Sequence, residues 1–343
     1  MSQPTTILQL VGSPTDVAYR ELSELYARAA QGALAGAEYR FVNAHVSPGG
    51  TWRFPDSLDD SAIAAAAPVP LSDALQHPAL READLALPQM FCRAGVSHYR
   101  ALLDLVGLPY LGNPPLHMAL AADKAKTRAI VATAGVGVPE GQLLRGGDIP
   151  PLDYPLIVKP NDADNSDGVA LVRRPEDLPA AVESAAGFSD AVLVERYIEA
   201  GREVRCGVVE QGGSLRALPL EEYRVDAGSH PIRVRADKLQ RGQGDTLVLG
   251  AKKPRESWIV ERGDPVTAKV QTAAIACHRA LGMRQYSLFD FRIDPAGTPW
   301  FLEAGPYCSF SPDSVIVKMM EADGVSLREF FSRSVSDLIK RPS

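Results

Sequence analysis

The stretch Tyr286–Ser314, YSLFDFRIDPAGTPWFLEAGPYCSFSPDS, decides the reading of this chain, because it places two carboxylates, Asp290 and Glu303, on the two strands of one hairpin. Leu288, Asp290 and Arg292 alternate with Phe289, Phe291 and Ile293, so the two sets face opposite sides of a strand. Pro295-Ala296-Gly297 supplies the turn and Trp300-Phe301-Leu302-Glu303 returns. Facing carboxylates without a Cys or His cluster suit Mg²⁺, with Mn²⁺ as an alternative, and Mg²⁺ is held by one or two carboxylates together with substrate phosphates. The hairpin therefore predicts a nucleotide site. Two solvated acids on a surface hairpin would read the same way, so the flanking chain has to decide.

Working outward, the 343 residues are enough for two or three structural units, and 45% hydrophobic with 23% charged residues is ordinary for a globular protein. A net charge of −6 offers no basic footprint for nucleic acid, which points to small-molecule partners. Cys92, Cys206, Cys277 and Cys308 are far apart, form no C-x-x-C pair and read as reduced core thiols, hence a cytoplasmic protein. The start, MSQPTTILQLVG, lacks a basic and then apolar leader, and no run approaches the ~20 apolar residues of a membrane span.

The chain begins with β and α segments in alternation: a strand Ile7–Val11, an amphipathic helix Val17–Ala30, a strand Tyr39–Val46, the apolar run Leu85–Pro88 and a helix His98–Val106. This predicts an open parallel sheet, closed off by Asn113-Pro114-Pro115. A helix Leu116–Ala134 then carries Asp123-Lys124 near its centre. The strand Leu156–Pro160 and the loop Asn161–Gly168, with Asn165, Ser166 and Gly168, lead into Val169–Val172. Such a loop can close over phosphates with backbone N–H donors, as P-loops and nests do, although a surface hairpin loop looks alike. Ala191–Ile198 is a buried-type strand that reaches polar residues at Glu195-Arg196. An antiparallel set, Glu203–Glu210 and Ser214–Tyr223, precedes a basic loop with Arg233, Arg235, Lys238 and Arg241.

Lys124, Lys159-Pro160, the Ser166/Gly168 loop, Glu195–Ile198, Glu203, Lys238, Asp290 and Leu302-Glu303-Ala304 follow the order and approximate spacing of ATP-grasp enzymes, and the chain resembles the D-alanine–D-alanine ligases over nearly its whole length. The resemblance implies a mixed α/β and α+β ATP-grasp fold with an N-terminal open parallel-sheet domain over 1–112, a central subdomain with the phosphate loop over 113–194, and a C-terminal subdomain with the metal site over 195–338. It places Lys124 and Lys159 on the phosphates of ATP and Glu195, Arg196, Tyr197 and Ile198 beside adenine. Glu203 would meet the ribose, Lys238 the γ-phosphate, and Asp290 with Glu303 the Mg²⁺. Ser314, at a helix start after Pro312, would receive the carboxylate of a free amino acid, with Ser309 nearby. Relatives of this kind commonly form homodimers through the first domain.

Two positions depart from that family. Its oxyanion arginine, two residues before the metal Asp, is Leu288 here, and its metal-binding Asn, two after the Glu, is Gly305. Losing an oxyanion donor commonly costs ~10²–10³ in rate. The segments WRFP (Trp52–Pro55), LPQMFCRAGVSHYR, GREVRCG, LPLEEY, ADKLQ and FLEAGPYCSFSP look similar to the ligases of mycosporine-like amino acid biosynthesis, which condense an amino acid such as serine or threonine onto mycosporine-glycine. That resemblance implies phosphorylation of a vinylogous amide oxygen, attack by an amine on a delocalised cationic carbon, and an imine product. His98, Tyr99, Arg233 and Arg235 are candidates for contact with the first substrate; capping, packing or surface charge are the other readings of these four. A carboxylate-activating amino-acid ligase with Arg292 or Arg284 as oxyanion donor, and a silent ATP-binding module, stand beside the imine ligase.

Overall fold

In the first part of the chain β1 (Thr5–Gly12) runs parallel to β2 (Tyr39–Ser47) on one side and to β4 (Leu85–Pro88) on the other. The computed structural model describes residues 3–144, 151–163, 166–199, 201–226, 228, 231–232, 239–241, 247–249 and 257–340. The strand β3 (Thr51–Arg53) pairs antiparallel with β2, giving the sheet order β3-β2-β1-β4. The expected open parallel sheet is thus present, with one antiparallel edge. Asp16 caps α1 (Val17–Leu34) by accepting from the Tyr19 N–H at 2.8 Å. Three short helices, α2 (Asp60–Ala65), α3 (Leu71–Ala74) and α4 (Pro78–Arg81), lead to β4.

Two helices differ from the sequence expectation. The helix expected from His98 begins earlier, as a π-helical turn Gly95–Tyr99 that continues into α5 (Arg100–Leu105). Gly95 permits this, since a Cβ there would stand 2.3 Å from the Met90 Cβ. The helix expected to run unbroken over Leu116–Ala134 is two, α6 (Pro115–Ala122) and α7 (Lys124–Thr133). Asp123 causes the break: its Oδ1 accepts from the Lys126 N–H at 3.0 Å, and Asn161 completes the cap by accepting the Ala125 N–H at 2.9 Å on its own Oδ1.

After α7 come two sheets. One has the order β5-β8-β6-β7, from β5 (Gly141–Leu144), β6 (Leu156–Pro160), β7 (Ala170–Val172) and β8 (Val192–Arg196), with α8 (Leu178–Ala186) packed on it. The other has the order β14-β11-β9-β15-β16 with β10 beside β9, from β9 (Arg202–Gln211), β10 (Ser214–Ala217), β11 (Glu221–Tyr223), β14 (Ser257–Ile259), β15 (Tyr286–Ile293) and β16 (Pro299–Ala304). A separate hairpin joins β12 (Leu239–Arg241) and β13 (Leu247–Leu249). Phe289, Phe291 and Phe301, all fully buried, form a core with Val204, Cys206 and helix α9 (Thr267–Ala280). The helices α10 (Val315–Ala322) and α11 (Leu327–Lys340) end the described chain.

Chain contacts divide the protein into two compact units, residues 1–119 with 210–214 and 307–343, and residues 120–209 with 215–306. The sequence expectation was three consecutive domains, 1–112, 113–194 and 195–338. The second unit holds both later sheets, so the 194/195 boundary falls inside β8. The C-terminal helices join the first unit because Phe331 of α11 packs its ring against Tyr39 at 5.1 Å, Phe310 at 5.2 Å and Phe41 at 6.4 Å. No described helix is long and apolar enough to cross a membrane.

Candidate active site

The two carboxylates that opened the sequence reading face each other in the structure. Asp290 of β15 is the register partner of Glu303 of β16, with a bulge immediately after Asp290. Both line a pocket of about 700 Å³, its open mouth included, together with Lys159, Ser166, Glu195, Arg196, Tyr197, Ile198, Glu203 and Arg292. The whole lining belongs to the second unit, so residues from 139 to 303 in sequence meet in one place.

In the pocket lining β6 delivers Lys159, buried and paired through Nζ with Glu195 Oε1 at 2.7 Å. Burial pulls the Lys159 ammonium below its usual range, and the Glu195 carboxylate opposes that pull. The other Glu195 oxygen pairs with Arg128 Nη1 at 2.6 Å, and Arg128 also donates to the Pro139 carbonyl. Glu195 is thus an anchor between two cations, and the residues after it carry the surface expected beside adenine. Arg196 and Tyr197 donate their N–H groups to the carbonyls of Glu140 at 2.8 Å and Pro155 at 3.0 Å. Arg196 stacks over Trp300 at 5.6 Å.

The expected phosphate loop joins β6 to β7. Ser166 and Gly168 both adopt left-handed backbone, at φ 60° and 67°, and a Cβ on Gly168 would lie 2.9 Å from Phe188 and 3.0 Å from Pro160. Lys124 stands at this loop, donating from Nζ to the Ala163 carbonyl at 2.6 Å, while its own N–H donates to the Asn161 carbonyl at 3.0 Å. Asn165 lies outside the described residues.

Arg292 donates to the Tyr197 hydroxyl at 2.8 Å and the Pro231 carbonyl at 2.9 Å, and pairs with Glu203 at 3.3 Å. Asp290 pairs with Arg205 Nε at 2.7 Å. Among the described residues no three acidic, His or Cys side chains cluster as a protein-only metal cage. Two facing carboxylates in a pocket with a buried lysine fit a Mg²⁺ ion that takes its remaining ligands from phosphates and water. Asp290 and Glu303 would hold that ion, which would neutralise phosphate charge when bound. The expected sites Lys238, Arg233 and Arg235 lie outside the described residues.

The remaining candidates belong to the first unit. Ser314 is the residue before α10, as expected, with its Oγ 3.4 Å from Cys308 Sγ. Ser309 is buried, and its carbonyl accepts from Gln89 Nε2 at 2.6 Å. Tyr99 packs against Trp52 at 5.6 Å, and burial pushes its phenol up to about 12. His98 is exposed. All four cysteines are free and buried.

Sequence reasoning missed Arg128, Arg205 and Asn161. A signal existed for the first two: Arg128 follows Lys124 by one helical turn, and Arg205 shares the face of Glu203 on an alternating strand. Asn161 carries no such signal, because Ala125, the helix residue it caps, lies 36 residues earlier in the chain.

The family model described as D-ala D-ala ligase C-terminus matches residues 149–336, more than half of the chain. The chain belongs to the D-alanine–D-alanine ligase family. Within it, this member is 30% identical over 242 residues to the D-alanine–D-alanine ligase of Bordetella petrii, covering 68% of this chain and 69% of that protein. The enzyme of the same name from Geobacter sulfurreducens is 29% identical over 246 residues, covering 68% and 70%. Among solved structures, the VanG D-Ala:D-Ser ligase of Enterococcus faecalis superposes with a TM-score of 0.79 at 22% identity, covering 97% of this chain and 99% of that one. The D-alanine–D-alanine ligase of Bacillus anthracis complexed with ATP gives 0.72 at 18% identity, covering 98% of each. The fold is therefore ATP-grasp, and this family member is an ATP-dependent, carbon–nitrogen bond-forming ligase. The silent-module reading is set aside by that membership. None of the relatives named here is a ligase of mycosporine-like amino acids, so the resemblance to that subgroup finds no support in them.

Proposed function

We propose that this ligase uses Mg²⁺-ATP to phosphorylate an oxygen of an acceptor and joins the amine of a free amino acid to the activated carbon, releasing ADP and phosphate, as D-alanine–D-alanine-type ligases do through an acyl phosphate. The observation that carries the proposal is the convergence of Lys159, the Ser166–Gly168 loop, Glu203, Asp290 and Glu303 on one pocket. The chain's own groups divide the work. Lys159 holds a positive charge where a phosphate would lie, Asp290 and Glu303 hold its metal, and the loop excludes water from the activated acceptor. Arg292, fixed by Tyr197, Pro231 and Glu203, is the described guanidinium of this pocket that an acyl-phosphate route would use as oxyanion donor. Ser314 at the start of α10 is the proposed anchor for the amino-acid carboxylate.

A second reading rests on Leu288. It occupies the site face of β15 two residues before Asp290, is 7% exposed, and brings a hydrocarbon where the family carries a guanidinium. Attack on a phosphorylated vinylogous amide develops no oxyanion, so a cation there would oppose the charge on the reacting carbon. Mycosporine-glycine is the acceptor of that reading, with an imine as product.

The test is ADP release from Mg²⁺-ATP with D-alanine and other amino-acid pairs, in parallel with mycosporine-glycine plus single L-amino acids, with products identified by mass. Turnover with amino-acid pairs supports the acyl-phosphate route. Turnover only with mycosporine-glycine, giving a product that absorbs at longer wavelength, moves the assignment to the imine ligase. Leu288→Arg separates the explanations: it lowers turnover on the imine route and raises it on the acyl route. A cytoplasmic homodimer belongs with either reading; light scattering after gel filtration tests the dimer.

A further inference from the structure

Four charged residues stand in one row across the second unit's larger sheet. Glu221 of β11 is the register partner of Arg205 of β9, Arg205 of Asp290 of β15, and Asp290 of Glu303 of β16. Directly opposed residues in antiparallel strands share a face, so the row reads acid, base, acid, acid along one surface. Arg205 is built into it. Its Nε pairs with Asp290 at 2.7 Å, its guanidinium lies 5.0 Å over the Tyr223 ring, and the Tyr223 hydroxyl donates to Glu221 at 2.6 Å. The Arg205 side chain is 15% exposed, and Asp290, Tyr223, Glu221 and Glu303 hold its guanidinium above the usual arginine range against the opposing effect of burial. Arg205 is not among the residues that line the pocket, whereas Asp290 and Glu303 are.

We propose that Arg205 is a positioning residue that makes metal loading depend on nucleotide: it fixes the Asp290 carboxylate and repels a divalent ion that arrives alone. The inference rests on the reading of Asp290 and Glu303 as the Mg²⁺ site. An ion held by Asp290 at ordinary Mg²⁺–oxygen distance lies within about 6 Å of the guanidinium, where repulsion between a single and a double charge exceeds a tenfold effect on affinity. Phosphates reverse the balance, because they add negative charge to the ion's other side. The Tyr223 ring keeps the guanidinium from swinging clear.

The experiment is binding of Mn²⁺ without nucleotide, read from the loss of the free-ion electron paramagnetic resonance signal, and again with ADP. In the wild type, Mn²⁺ binds weakly alone and firmly with ADP. Arg205→Met and Arg205→Gln bind Mn²⁺ alone about tenfold more tightly. Arg205→Lys, which keeps the charge, stays within about threefold of wild type, and Arg205→Met with Asp290→Asn loses the gain. Melting temperature and metal-free ADP binding show that each variant is folded, with Arg205→Gln carrying the test if Arg205→Met is not. Unchanged or weaker Mn²⁺ binding in the folded neutral variants overturns the inference while leaving the metal site standing. Failure of the wild type to bind Mn²⁺ even with ADP overturns the metal reading and the inference together.

Discussion

Glu195 holds two buried cations at once, so its removal is costlier than removal of either partner. Glu195→Ala leaves Lys159 and Arg128 facing each other without the carboxylate that both touch at 2.6–2.7 Å. Breaking a buried pair in this way costs roughly 3–5 kcal/mol, because an uncompensated charge stays behind. Lys159→Met deletes a charge whose burial is already unfavourable and leaves Glu195 with Arg128. It is therefore expected to cost less stability in urea unfolding than Glu195→Ala, while weakening ATP binding more directly. An equal loss in the two variants would mean that the cations left behind by Glu195→Ala carry no penalty of their own. Tyr99 offers a pH signature at the same scale. Its phenol titrates at about 12 in the folded chain against 10.0 for the ordinary group. Below pH 10 both states keep the proton and the contribution is whole. Between pH 10 and 12 the unfolded state releases the proton first, binds fewer protons, and stability falls as pH rises. Tyr99→Phe should flatten part of that alkaline decline, measured as the urea midpoint against pH; buried thiols supply the remainder.

The loop between β6 and β7 shows what an element demands of one residue. Gly168 combines φ 67° with a Cβ position closed by Phe188, Pro160 and Ala185 at 2.9–3.2 Å. Gly168→Ala is expected to cost about 1–3 kcal/mol and to raise the ATP concentration needed for half-saturation, since the displaced loop carries Ser166 out of the pocket. Isothermal titration with ATP checks this, and unchanged affinity would detach the loop from the nucleotide. Phe331→Ala in α11 should remove about 3–5 kcal/mol from the first unit, read from its urea unfolding curve. The β15–β16 hairpin was legible from its alternation and its Pro-Ala-Gly turn, but its bulge was not: the register nearest the turn pairs Phe291 with Phe301, and only the shift after Asp290 brings Asp290 opposite Glu303. The break at Asp123 was not legible, because the apolar pattern continues through it and the capping partner, Asn161, lies 38 residues on. The return of α10 and α11 to the first unit was likewise hidden, since Phe330 and Phe331 say that a helix is buried and nothing about what buries it.

The two units give the whole molecule a built-in set of reporters. Cys92 and Cys308 belong to the first unit, Cys206 and Cys277 to the second, and all are buried free thiols. Burial pushes the Cys277 thiol up to about 12 and Cys308 up to about 11, so native thiolate is scarce at pH 8 and labelling by an aromatic disulfide reagent requires opening of the fold. The pocket that carries Asp290, Glu303 and Lys159 is lined by the second unit. A ligand bound only to the native form lowers the open fraction by the factor 1 + [L]/Kd, roughly a hundredfold at a hundred times Kd. Saturating Mg²⁺-ADP in mild urea is therefore expected to slow labelling of Cys206 and Cys277 by about that factor and to leave Cys92 and Cys308 nearly unchanged, as read by mass spectrometry of labelled peptides. Equal protection of all four thiols would show that the units open as one, in which case nucleotide stabilises the first unit as strongly as the unit that lines the pocket. Protection confined to Cys92 and Cys308 would place the nucleotide elsewhere and remove the basis for reading Lys159, Asp290 and Glu303 as its site.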